Sequence, residues 1–187
     1  MTDIAFILKA IEYSAGRHRK QFRKGEDKTP YINHPIGVAN LLAQVGEHDP
    51  VLLSAAILHD VIEDTVENDK EKKALIDEIR NEFGEDVLSL TLEVTDDKNL
   101  DKTERKRRQV TDAPHKSIRA KKLKIADKTM NLRDIYSDPP TWWNRQRIVD
   151  YHTWAEDVVA GLRGVNPQLE KIFDETLKAG RDKYLKR

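Results

Sequence analysis

No cysteine occurs among the 187 residues, so disulfides and thiolate metal sites are excluded. Net charge is absent too. Thirty-three lysines and arginines balance 33 aspartates and glutamates, which argues against a dedicated polyanion binder and for no nucleic-acid partner. No apolar run approaches the length of a membrane span, so no membrane partner is expected. The opening MTDIAFILKAIEYSAGRHRK lacks the basic–apolar–small order of a signal peptide, because Asp3, Lys9 and Glu12 interrupt its apolar residues at helical spacing. Internal repeats, dividing linkers and sustained alternating strand patterns are also missing. A cytoplasmic protein with one ordinary hydrophobic core is the simplest expectation.

What is present is helical periodicity. Ile4, Ile7, Leu8, Ile11 and Ala15 fall on one face of a first helix that runs into RHRKQFRK. In NHPIGVANLLAQVG, Pro35 suits a first turn and Gly46 an end. In DPVLLSAAILHD, Asp49 is placed to cap and Pro50 follows it; being apolar nearly all round, this segment reads as the central buried helix. EKKALIDEIRNEFG is amphipathic and is expected to stop at Gly84, while EDVLSLTLEVTDD reads better as helix than as strand among such neighbours. DKTERKRRQV is a charged helix or loop. Three further helices complete the set, the last two with Thr141 and Asn166 as expected caps. The expected fold is all-α, a single helical-bundle domain over residues 1–187.

One segment, LLSAAILHDVIEDT, begins fit for burial and then places His59, Asp60, Glu63 and Asp64 within six positions. Acidic groups near a helix C-terminus oppose its dipole, and like charges at helical spacing repel, so a bound cation is the natural compensation. Glu63 and Asp64 flank Asp60 on one side of a continued helix, each within about 60° of it. The adjacent His59 and Asp60 reach one ion only where the helix ends or distorts, or where the ion sits at an edge. Two more candidates complete a coordination sphere: His34 in YINHP, just before Pro35, and Asp127 in KIADKTMNL, four residues from Asn131. Two imidazoles and two carboxylates suit divalent manganese, iron or zinc, with positions left open for water and substrate.

YINHPIGVANLL, AAILHDVIEDT, LEVTDDK, ERKRRQV, KIADKTMNLRDI and RIVDYHTWAEDVVAGLRG occur in the order of the motifs of small alarmone hydrolases. The chain, from about Ala15 to Gly164, thus resembles the stand-alone HD-type hydrolases of the RelA/SpoT homologue family, close to the metazoan SpoT homologue type. The resemblance implies an HD domain in which His34, His59, Asp60 and Asp127 hold one metal, usually Mn2+. It places Glu63 and Asp64 on the acidic pair associated with positioning or activating the attacking water. The implied reaction takes a small nucleotide, ppGpp or pppGpp, to GDP or GTP plus pyrophosphate. Arg23, Lys24, Lys98, Asn131, Arg147 and Tyr151 match substrate contacts of the family, whereas ERKRRQV reads equally as a solvated charged face. Phe22, where relatives often carry a basic residue, and Met130, where an aromatic is common, depart from the pattern beside the base. They keep adenosine alarmones or NADPH open as substrates. A non-catalytic alarmone-sensing regulator and a general 5′-nucleotidase are further alternatives; the intact Glu63–Asp64 pair disfavours the first and the later motifs disfavour the second. The resemblance also leads to the expectation that 187 residues hold no synthetase or regulatory domain, and it fixes no oligomeric state.

Overall fold

A computed structural model describes residues 2–185, apart from the side chain of Leu185. Among the described residues every long element is an α-helix, and the only strand-like pairing is an isolated antiparallel bridge between Phe22 and Pro30. None of these helices is long and apolar enough to cross a membrane. The chain forms two compact units, one from the N-terminal segment up to Gln21 with Tyr31–Asn99, the other from Phe22–Pro30 with the chain from Leu100 onward.

The first unit contains α1 (Asp3–Arg17), α2 (Asn33–Gln44), α3 (Pro50–Leu58), the single turn α4 (Val61–Asp64) and α5 (Asp69–Val94). Helix α3 is its centre, with α1, α2 and α5 packed against it. Asp49 caps α3 by accepting from the Val51 amide at 3.0 Å, and every residue from Leu52 to Leu58 is buried. Burying each such Leu or Ile contributes about 1.5–3 kcal/mol, so this helix anchors whatever its C-terminal end presents. Helix α1 departs from expectation. Ile4 and Leu8 are 73% and 58% exposed, while Ala10, Ser14 and, just past the helix end, His18 are buried. The buried stripe is therefore rotated from the most apolar one, and beside it the half-buried Phe6 and Tyr13 pack their rings edge-on against Phe83. Gly84 breaks α5 as expected, with φ of 83° that a side chain resists, but the helix resumes at once through EDVLSLTLEV.

The second unit contains α6 (Lys102–Asp112), a 3₁₀ turn (Ala113–His115), α7 (Ile118–Ser137), α8 (Arg145–Ala160) and α9 (Pro167–Leu185). Helix α8 packs on α6, α7 and α9, and α7 also lies along α9. Asn166 caps α9, accepting from the Gln168 and Leu169 amides. Thr141 does not cap α8; Asn144 does, accepting from Arg147 N at 2.9 Å, so the helix starts after the TWW segment. The α8–α9 seam is close: a Cβ on Gly180 would lie 2.2 Å from Nε2 of the buried His152. His152 cannot readily swing away, because its Nδ1 donates to the Ile148 carbonyl at 2.7 Å. Gly180→Ala is expected to destabilise the protein by about 1–3 kcal/mol through overpacking, read as a lowered urea midpoint with unchanged slope.

Candidate active site

Helix α3 ends at Leu58 and α4 begins at Val61, so His59 and Asp60 form the corner between them. Asp60 has φ −95° and ψ −8°, the sparsely allowed bridge region often used at active sites. This corner lets adjacent side chains converge. Nε2 of His59 lies 3.2 Å and Nε2 of His34 lies 4.0 Å from the same oxygen, Oδ2 of Asp60. The two imidazole centroids are 5.4 Å apart, and both rings are buried. His59 Nδ1 is 2.8 Å from the Ala56 carbonyl, which only accepts, so Nδ1 carries the proton. Nε2 of His59 then faces a carboxylate oxygen at 3.2 Å, an arrangement that either a proton on Nε2 or a cation shared by the two groups makes favourable. Neutral imidazole nitrogens and a carboxylate, with the far nitrogen of one ring fixed by a backbone carbonyl, form a donor set that fits a divalent metal.

The acidic pair follows on α4. Asp64 is held on three sides: Oδ1 accepts from Lys98 Nζ at 2.6 Å, Oδ2 from the Tyr31 hydroxyl at 3.0 Å, and its carbonyl from Gln21 Nε2 at 2.7 Å. Tyr31 also donates to Asp60 Oδ2 at 2.7 Å. Glu63 accepts from the Asp96 amide at 3.2 Å. Burial, reinforced by the charges of Asp96, Asp60 and Asp64, pushes its carboxyl up to about 7. A carboxyl poised near neutrality can take or give a proton at physiological pH, which is what hydrolysis asks of a general base.

In the second unit, Asp127 sits in the run Leu123–Thr129 of α7, all of it buried. Its Oδ1 accepts from Asn131 Nδ2 at 2.6 Å and its Oδ2 from Lys128 Nζ at 3.1 Å. Asn131 Oδ1 in turn accepts from Arg23 Nη2 at 2.7 Å, and the same nitrogen lies 2.7 Å from Asp134 Oδ2. The Phe22–Pro30 segment is thereby tied to α7, with Arg23 half-buried and Phe22 55% exposed.

Cations and aromatic rings alternate where α6 meets α8. The Tyr151 ring lies 5.5 Å from Trp143 and 5.2 Å from Trp154. Arg147 covers Trp143 at 4.7 Å, while the ammonium groups of Lys106 and Lys128 lie 4.7 and 4.6 Å from Trp154. Burial and the charges of Lys102 and Arg147 lower the pKa of Lys106; partial burial, Arg147 and Lys24 lower that of Lys102. Cations crowded closely enough to depress one another gain from a polyanion. Burial also pushes the Tyr151 phenol up to about 12, so it remains a neutral donor.

The profile of a family described as HD domain matches residues 10–153. The chain belongs to the HD-domain family. Within it, the chain falls among the small alarmone hydrolases of the RelA/SpoT homologue type, as the following relatives show. It is 48% identical over 174 residues to the guanosine-3′,5′-bis(diphosphate) 3′-pyrophosphohydrolase MESH1 of Xenopus tropicalis, covering 92% of this chain and 93% of that protein. It is 47% identical over 178 residues to the Homo sapiens protein of the same name, covering 95% and 96%. A solved metazoan orthologue of SpoT, which hydrolyses ppGpp and plays a role in starvation responses, superposes with a TM-score of 0.86 at 43% identity, covering 93% of this chain and 94% of that one.

In this HD-domain protein the structure joins His34, His59 and Asp60 around one oxygen, and it joins Arg23, Asn131 and Asp127 in one hydrogen-bonded chain. Lys98 is engaged with Asp64, whereas Lys24 and Arg147 group with Lys102. Sequence reasoning did not single out Tyr31, Lys102, Lys106 or Lys128, and it read Trp143 and Trp154 as packing residues, which both are against Tyr151. The i, i+4 spacing of Lys102 and Lys106 was a usable signal, since it puts both on one face of α6. Of the two readings open for ERKRRQV, Arg107 and Arg108 fit the solvated face, exposed and paired with Glu104, whereas Lys106 lies over Trp154. Tyr31, by contrast, carries no local signal; its partners lie 29 and 33 residues away.

Proposed function

We propose that the chain is a guanosine-3′,5′-bis(diphosphate) 3′-pyrophosphohydrolase that converts ppGpp or pppGpp to GDP or GTP plus pyrophosphate. It would act as one HD domain over its whole length, in the cytoplasm, with Mn2+ as its metal. The observation that carries this reading is the His59–Asp60 corner, where two buried imidazoles and a carboxylate call for a cation. In this reading His34, His59, Asp60 and Asp127 are the ligands. A divalent ion in such a set lowers the pKa of water and polarises the phosphoryl group.

The chain's own residues supply the rest. Glu63 takes the proton of the attacking water, in keeping with a carboxyl raised to about 7 in the metal-free protein. Asp64, with both oxygens engaged, keeps the acidic pair in place. Water oxygen joins phosphorus as the bond to the ribose 3′ oxygen breaks. Pyrophosphate leaves, and the 3′ oxygen receives a proton. Lys24, Lys102, Lys106 and Arg147 offer charge and hydrogen bonds to phosphate oxygens, with Tyr151 a neutral donor beside them. Arg23 and Asn131 hold the segment that meets the nucleoside, and Lys98 pairs with Asp64.

Incubation of the purified chain with Mn2+ and ppGpp is expected to release equimolar pyrophosphate and GDP, resolved by ion-exchange chromatography. No turnover with Mn2+, Fe2+, Zn2+ or Mg2+ would overturn the reading. The exposed Phe22 beside an Arg23 already bonded to Asn131 and Asp134 favours a second substrate class. A base site of this kind relies on stacking, which every purine satisfies, so pppApp and NADPH belong in the same panel.

A further inference from the structure

We propose that Tyr31 is a positioning residue that holds the Asp60 and Asp64 carboxylates together for metal binding and turnover, braced by His18 and Gln21. The proposal rests on the reading of Asp60 as a metal ligand. Asp60 and Asp64 are four residues apart and carry like charge, an arrangement that repels at helical spacing. The Tyr31 hydroxyl lies 2.7 Å from Oδ2 of one and 3.0 Å from Oδ2 of the other, so a single phenolic proton serves both. A neutral donor is well suited to this task. It offsets the repulsion without bringing a second positive charge against the ligand oxygen.

The phenol is itself held. Its ring stacks on His18 with centroids 4.8 Å apart and planes 24° from parallel, and it meets His34 edge-on at 6.3 Å. His18 is 2% exposed, and its Nδ1 lies 2.6 Å from Gln21 Oε1. Gln21 Nε2 donates to the Asp64 carbonyl, which only accepts; this orients the amide and makes His18 Nδ1 the donor in its bond to Oε1. Finally, Tyr31 N donates to the Gln21 carbonyl at 3.0 Å. Gln21 thus grips the backbone of Asp64 while Tyr31 grips its carboxylate, and His18 joins the two. His18, which has no place in the ligand set, gains a role as the plate against which the phenol is set.

Tyr31→Phe keeps the ring and its stack and removes one oxygen. Isothermal titration with Mn2+ alone is expected to show affinity reduced about 10–100-fold, the usual effect of losing a partner of a metal ligand. With ppGpp, kcat should fall while KM stays within about threefold, because the hydroxyl acts on the metal side of the reaction rather than on substrate binding. Gln21→Leu approaches the bracket from its outer end and should weaken Mn2+ binding less, by about 3–10-fold. Circular dichroism melts establish which variants are folded, and a folded variant of either kind decides the matter. Mn2+ affinity and kcat within twofold of wild type would overturn the proposal. Wild-type protein that binds Mn2+ but leaves ppGpp intact would overturn the hydrolase reading alone, since the affinity comparison needs no nucleotide.

Discussion

Replacing His59 with glutamine is expected to lower the rate of pyrophosphate release from ppGpp by at least about 10³-fold, the equivalent of several kcal/mol of lost transition-state stabilisation. The loss follows from the corner between α3 and α4. His59 Nε2 is one of the two ring nitrogens directed at Asp60 Oδ2, and its orientation is fixed from the other side by the Ala56 carbonyl. Glutamine fills part of the volume but provides no imidazole lone pair at that point. The effect also has a readout independent of catalysis. A ligand that binds only the folded state at 100 times its Kd stabilises by about 2.7 kcal/mol, which for a chain of this size raises the melting temperature by roughly 5–10 °C. Wild-type protein should show that rise on adding Mn2+, and the His59→Gln protein should not. An equal rise in both would place the metal elsewhere.

Glu63→Gln is expected to lower kcat by about 10²–10⁴-fold, the range associated with a general base, with KM little changed. At the same time it stabilises the metal-free protein at alkaline pH. Burial and the charges of Asp96, Asp60 and Asp64 lift the Glu63 carboxyl from 4.5 to about 7. A folded-state pKa above the unfolded one means a contribution that is fully present below pH 4.5 and is lost as pH rises through about 7. Wild-type protein therefore loses stability across that window by ionising a buried group among like charges, and the amide does not. Urea midpoints measured without metal at pH 5 and pH 8 should show the variant gaining on wild type as pH increases. A difference independent of pH would remove the burial account, and an unchanged kcat would assign the proton transfer to another group.

These two variants probe residues that are legible in the sequence alone. HDVIEDT announces its own chemistry, because four ionisable groups at the end of an apolar helix require compensation. That the helix could end at His59 and Asp60 was one of the alternatives the sequence left open, and it is the one found, with α3 ending at Leu58 and α4 starting at Val61. Elsewhere local pattern misled. Ile4 and Leu8 satisfy helical periodicity yet stay exposed, because Phe6 and Tyr13 have Phe83 to pack against. Thr141 is an acceptable cap by residue type, but Asn144, three positions on, takes the Arg147 amide instead. Propensity ranks candidates, and packing chooses among them.

By itself the sequence determined the helical content, the buried central helix, the absence of any thiolate ligand, and which nitrogen and oxygen groups are candidates as donors. All of these depend on composition or on spacing within one turn or two, which the chain carries locally. Only the tertiary structure decided which donors are already engaged and by whom. Tyr31 reaches Asp60 and Asp64 across 29 and 33 residues, Lys98 reaches Asp64 across 34, and Arg23 reaches Asn131 across 108. Such pairs are fixed by the packing of whole helices, and no periodicity records them. The physical reason is one of range: a hydrogen bond acts over about 3 Å, and separation along the chain says nothing about which groups come that close.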